Sequence, residues 1–190
     1  MRRSVLLALV VLSLVAPLGA LGPSASARDA ERASSGLVIT YRAWGDLQRG
    51  MTAKQAQKTG MVSTQVDQCA GGYLLAKPYR SRGYLIWAIT SKVTKVHSIV
   101  VTGTSDHTRE GTHPGTTLAR LRKQHPHLSA LHAGSTLDGG TAPKKDLWVA
   151  WVKKSYGTIV YQFPYGPKPT ASDTLDTIIV NKKPTAFYGC

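Results

Sequence analysis

A Gly-x-Thr step leading into a short helix-forming run occurs twice in this chain, and no other feature constrains its folding as much. The first copy reads Gly50-Met51-Thr52-Ala53-Lys54-Gln55-Ala56 and closes at Gly60. The second reads Gly115-Thr116-Thr117-Leu118-Ala119-Arg120-Leu121 and runs on to Pro126. Thr52 and Gln55 have the spacing of a capping box, in which the threonine oxygen takes a free helix N–H and the glutamine reaches back. Gly60 suits the left-handed residue that ends a helix. Pro126 stops the second helix, whose Leu118, Leu121 and Leu128 share one face. Gly50 then aligns with Gly115, Thr52 with Thr117, and Ala56 with Leu121. The glycines are expected to permit the turn and the threonines to cap, which are structural roles.

Strand signals follow each helix. Runs rich in β-branched and aromatic residues cover 73–76, 84–90 and 95–102 after the first, and 147–153, 158–163 and 175–181 after the second. A further run at 37–41 precedes the first helix. Turn-rich pieces such as Arg80-Ser81-Arg82-Gly83 and Ser155-Tyr156-Gly157 separate them. The expected fold is α+β, a tandem repeat of a short helix plus a three-stranded antiparallel meander, over residues 37–104 and 105–190. The helices pack on one face of the sheet, and such sheets can leave the other face wet. Residues 133–145 and 164–173, rich in Gly, Pro, Ser and Thr, are expected to be loops.

The first 27 residues predict a secretory signal peptide. Arg2 and Arg3 form a positive start, an apolar run follows to Ala16, and Ala25-Ser26-Ala27 offers small residues at a cleavage site. A membrane anchor, the competing reading, needs roughly 20 apolar residues, and this run is shorter and meets Pro17. With no cysteine near the site, a lipoprotein is excluded. Residues 28–36 read as a flexible leader, and no later stretch is apolar enough to span a membrane. Export sets an oxidising context for Cys69 and Cys190, the only two cysteines. A disulfide between them would close a long loop, contributing about 4–5 kcal/mol in the chain-entropy account. Two free thiols are the alternative.

The first repeat with Gly50-Met51-Thr52, Gly60 and Cys69, and the second with Thr108-Arg109-Glu110-Gly111-Thr112-His113-Pro114-Gly115-Thr116-Thr117-Leu118 running to Pro126-His127-Leu128, carry a resemblance. Together they resemble secreted, uncharacterised actinobacterial proteins. The repeat is similar to the SmpA/OmlA-type domain of outer-membrane assembly lipoproteins and to the tandem domains of the secreted β-lactamase inhibitor protein. The resemblance covers roughly residues 37–190. It implies a tandem α+β fold and protein or envelope binding rather than catalysis, and it offers no catalytic residues to carry over.

The residues themselves point the same way. There is no Gly-x-Ser-x-Gly elbow, no carboxylate pair and no phosphate-cradling Gly-Lys loop. His125, His127 and His132 are close in sequence, but Pro126 breaks any helical pairing, so a solvated helix end competes with a metal site. No cofactor or metal is expected. Twenty-four Lys and Arg against ten Asp and Glu give a formal charge of +14. That charge favours polyanions and acidic partners, with solubility as the plainer explanation. For an exported protein the partner would be another protein or an anionic cell-envelope polymer, and nucleic acid is disfavoured. Trp148 and Trp151 alternate across one strand, and with Lys153 and Lys154 they form the expected binding surface. The expected function is therefore that of a secreted, non-enzymatic binding protein. An inhibitor of a secreted enzyme and a small extracellular hydrolase are the alternatives.

Overall fold

A computed structural model describes residues 36–67, 72–89, 93–133 and 147–183. The expected signal peptide, nearly all of the leader, Cys69 and Cys190 lie outside the described residues. In chain order the strands are β1 (Val38–Ile39), β2 (Ala43–Trp44), β3 (Leu47–Gln48), β4 (Val62–Val66), β5 (Tyr73–Leu75), β6 (Gly83–Ile89), β7 (Thr94–Val101), β8 (His107–Thr108), β9 (His132–Ala133), β10 (Trp148–Lys154), β11 (Gly157–Gln162) and β12 (Thr177–Asn181). The helices are α1 (Ala53–Lys58) and α2 (Leu118–Gln124).

Both helices begin with the same chemistry. Thr52 caps α1 by accepting the Gln55 N–H, and the Gln55 side chain returns to the Thr52 N–H at 2.9 Å. Thr117 caps α2 by accepting the Arg120 N–H, without the reciprocal bond because residue 120 is an arginine. The approach to each cap also matches. Gly50 N–H donates to Val96 O and Val96 N–H to Met51 O, at 2.7 and 2.8 Å. Gly115 N–H donates to Leu175 O and Leu175 N–H to Thr116 O, at 2.8 and 2.9 Å. Gly50 and Gly115 sit at φ 89° and 92°, where a side chain would be strained. Gly60, just past the end of α1, is also left-handed at φ 75°.

Six strands form one antiparallel sheet in the order β6-β7-β12-β11-β10-β9. Ala56 of α1 and Leu118 and Leu121 of α2 are buried in one cluster with Leu85, Trp87, Ile99, Tyr161 and Ile178 of the sheet. The two helices therefore cover the same face. The opposite face is covered as well. Register pairs carry a row across it from Tyr84 to Val100, Ile179, Val160 and Trp151. Val100, Val160 and Ile179 are buried there with Leu147 and Val149, while Tyr84, Ile86 and Trp151 are half-buried against them. Every residue of β11 and β12 is buried. These two strands are central and read as continuous apolar runs, the pattern of strands buried on both faces, not of a sheet with one wet face.

The second expected meander is present as β10-β11-β12, but the first is not: its expected first strand, β5, pairs with β4 and not with β6. β3-β2-β1-β8 form a four-stranded sheet in which β1 runs parallel to β8, with Val38 opposite His107 and Ile39 opposite Thr108. β4 and β5 form a separate two-stranded hairpin. A buried ion pair between Arg82 and Asp106 ties the loops before β6 and β8 together. Arg82 Nε donates to Asp106 Oδ2 at 3.0 Å, and Asp106 Oδ1 also accepts the Leu37 N–H at 2.7 Å. The guanidinium lies 6.0 Å from the ring of the fully buried Trp44 and 5.8 Å from that of Tyr79. Among the described residues, no helix is long and apolar enough to cross a membrane.

Candidate functional site: a cationic cleft

Four segments converge at one end of α2. The first is the turn between β1 and β2, held by Thr40, whose N–H donates to Ala43 O at 2.8 Å and whose hydroxyl oxygen accepts the Ala43 N–H at 3.1 Å. It carries Tyr41 and Arg42. The second follows β8, where Gly111 at φ 80° closes a turn back onto Thr108 O and exposes Arg109 and Glu110. The third is the end of α2, Gln124 to His127. The fourth is the β10–β11 hairpin, in which Lys154 faces Gly157 across a two-residue turn. A Cβ on Gly157 would overlap Tyr41 O, so this glycine lets the hairpin press against the first segment. Tyr156 meets Tyr41 edge to face at 5.9 Å, and its carbonyl accepts from Arg49 Nη2 at 3.0 Å. Burial first, and then the like charge of Arg42, lower the Arg49 pKa.

These segments enclose two adjoining hollows. One, of about 310 Å³, is lined by Tyr41, Arg42, Arg109, Glu110 and Tyr156 over a floor of Ile39 and Ile159. The other, of about 460 Å³, is lined by Gln124, His125, His127, Val152, Lys153 and Lys154. Tyr41 and Glu110 belong to both. Arg42, Arg109, His127, Lys153 and Lys154 are all exposed, and among the described residues none of them forms an ion pair.

Beneath the second hollow lies a buried polar network. His125 Nε2 is 2.9 Å from Tyr161 Oη and 2.9 Å from Thr112 Oγ1. Thr112 donates to Gln124 Oε1 at 2.9 Å, and Gln124 Nε2 donates to Glu110 O at 2.9 Å. With the threonine proton committed to Gln124, a neutral imidazole is held with its Nε2 between the two hydroxyl oxygens. The electrostatics agree. Burial lowers the His125 pKa against an opposing pull from Glu110. Burial, with Glu110 and Tyr41 nearby, holds the Tyr161 phenol well above its usual value. Tyr41 is raised by burial and then by Glu110 and Tyr156. Thr112 and Tyr161 are fully buried, so His125 turns its Nε2 inward and serves the packing of α2 on β11.

The residues singled out from sequence divide here. Lys153 and Lys154 line the cleft. Trp148 and Trp151 do not: Trp148 packs on the helix side of the sheet, with its Nε1 donating to Gly166 O at 3.2 Å and Lys168 Nζ 5.8 Å from its ring. Trp151 lies on the other face, stacked on His132 at 4.4 Å. Their alternation along the strand puts them on opposite faces, and both are half-buried. His125, His127 and His132 are thereby given three separate settings, and among the described residues no three His, Cys, Asp or Glu converge on a metal-sized site. Gly50, Thr52, Gly60, Gly115 and Thr117 stand at turns and caps, away from the cleft. Tyr41, Arg42, Glu110 and Tyr156 carry no motif of their own; the one sequence signal near them is the Thr108–Gly115 stretch.

No protein-family model matches the chain, and no curated protein matches it in sequence. Among solved structures, the crystal structure of the uncharacterized protein YfeY from Escherichia coli is similar at a TM-score of 0.38 and 14% identity, over 75% of this chain and 97% of that one. A likeness of that size assigns neither fold nor function.

Proposed function

We propose that this chain is a secreted, non-enzymatic binding protein, built as a tandem repeat of SmpA/OmlA-like units, whose cationic cleft takes an anionic group carried by a cell-envelope component or another protein. The observation that carries the reading is the convergence of Arg42, Arg109, Lys153 and Lys154 around Tyr41 and Tyr156, with Glu110 the one acid lining either hollow. Like charges brought together without counter-ions repel, and that cost is offset when an anion occupies the space between them. The repeat is supported by the matched approach to each cap, from a left-handed glycine through two backbone bonds to a residue later in the chain, Val96 in the first copy and Leu175 in the second. A Cys69–Cys190 disulfide belongs to the same proposal.

The test is co-sedimentation of the purified protein with isolated cell walls across a salt series, against walls stripped of anionic polymers. Retention at low salt that fades as salt rises and with stripping is expected, because exposed charges are screened over about 8–10 Å at physiological ionic strength. Lys153→Glu with Lys154→Glu should abolish retention while leaving the thermal midpoint unchanged. Absence of binding at low salt removes the reading.

A further inference from the structure

The two hollows of the cleft differ in a way that selects among anions. The first holds two guanidinium groups, from Arg42 and Arg109, beside the edge-to-face pair Tyr41 and Tyr156. The second holds the ammonium groups of Lys153 and Lys154 with His127. Between them stand Tyr41 and Glu110, the two side chains common to both. The Glu110 charge reaches the centre of the site, since it pulls on Tyr41, His125 and Tyr161 alike. A ligand spanning both hollows thus meets cations, then an aromatic ring with a carboxylate, then cations again.

We propose that the cleft selects a polymer in which phosphate groups alternate with uncharged, hydroxylated units, such as a polyol- or sugar-phosphate chain. This rests on the binding reading above and names the ligand class. Arginine forks match phosphate oxygens in two-point contacts, and lysines neutralise the next phosphate as point charges. The middle of the ligand must be neutral, because a phosphate or carboxylate beside Glu110 would meet a like charge. A hydroxyl there donates to the Glu110 carboxylate, and the carbon skeleton of a polyol or sugar packs on the Tyr41 ring. A polyanion charged at every unit, such as inorganic polyphosphate or polyglutamate, cannot avoid Glu110. This is selection by a placed repulsion, not by attraction alone.

The experiment compares two probes of equal charge by isothermal titration at about 0.15 M salt: a synthetic glycerol-phosphate oligomer and inorganic polyphosphate. The full-length protein as produced is expected to bind the glycerol-phosphate oligomer at least tenfold more tightly. Glu110→Gln should bring the two affinities within about twofold, chiefly by strengthening polyphosphate. The Glu110 side chain is exposed and the network uses only its backbone carbonyl, so a thermal melt of the variant should overlay the parent. Equal or tighter binding of polyphosphate by the unmodified protein, or a ratio that Glu110→Gln leaves unchanged, overturns the selectivity. If either result is found while Lys153→Ala with Lys154→Ala still weakens both probes, the binding cleft stands and its ligand class falls. Binding of neither probe overturns both.

Discussion

His125 closes α2 with its backbone N–H on Leu121 O while its ring is held between two buried hydroxyls. Because its pKa is lower in the folded protein than in the unfolded chain, the unfolded state takes up the proton first as pH falls. The stability contributed by the neutral ring is whole above the unfolded value, near 6.5, and is lost as pH drops below it toward the folded value. The thermal midpoint should therefore fall between pH 7.5 and pH 5, and a His125→Gln variant, less stable at pH 7.5, should show a flatter profile over the same range. Tyr161→Phe removes the hydroxyl hydrogen-bonded to His125 Nε2 and should cost about 1–2 kcal/mol in urea unfolding at neutral pH. Gly157→Ala forces the β10–β11 hairpin away from Tyr41 O. It should lower both the unfolding midpoint and wall retention, since it displaces Lys153 and Lys154 from Tyr41.

At the scale of elements, the two helices offer a controlled comparison. Thr52→Ala breaks a reciprocal cap and Thr117→Ala a one-sided one. Each should cost about 1 kcal/mol, the first more than the second, read from denaturant midpoints. Helix starts were legible in the sequence because capping chemistry is local: Thr52 and Gln55 are three residues apart. The long strands were legible too, and β6, β7, β10 and β11 fall within a residue or two of their expected positions, with β12 starting two residues late. Of the short ones, only β1 and β5 fall in expected runs. Two-residue strands such as β2, β3 and β8 have no periodicity to read; β1 falls inside the expected run at 37–41, but its parallel pairing with β8 was not legible. β4 carries the alternation Val62, Thr64, Val66, yet most of it is exposed, so burial does not explain it. The cleft was half legible. Lys153 and Lys154 stand out as cations ending an apolar strand, whereas Tyr41, Arg42 and Glu110 meet them only because β1 lies parallel beside β8.

At the scale of the whole molecule, the α+β fold with antiparallel sheets follows from the sequence patterns, but the apolar cluster unites what the repeat divides. Residues from before and after position 105 share it, and the Arg82–Asp106 pair crosses that boundary inside the protein. Asp106→Ala leaves a guanidinium buried without its counter-ion and should destabilise by about 3–5 kcal/mol. Replacing both partners, as Arg82→Met with Asp106→Leu, should recover most of that loss. Urea unfolding followed separately by tryptophan fluorescence and by circular dichroism should give coincident transitions, because a shared core leaves neither half a reason to melt alone.

The seam between β7 and β12 rests on three register pairs, Val101–Ile178, Val100–Ile179 and Ile99–Val180, between strands far apart in the chain. Until β12 has been synthesised, β7 is an unprotected apolar edge, and closing the sheet costs the entropy of a very long loop. Folding therefore waits for β12, and a nascent chain stalled before Thr177 remains open, slow to collapse and prone to pair with its neighbours.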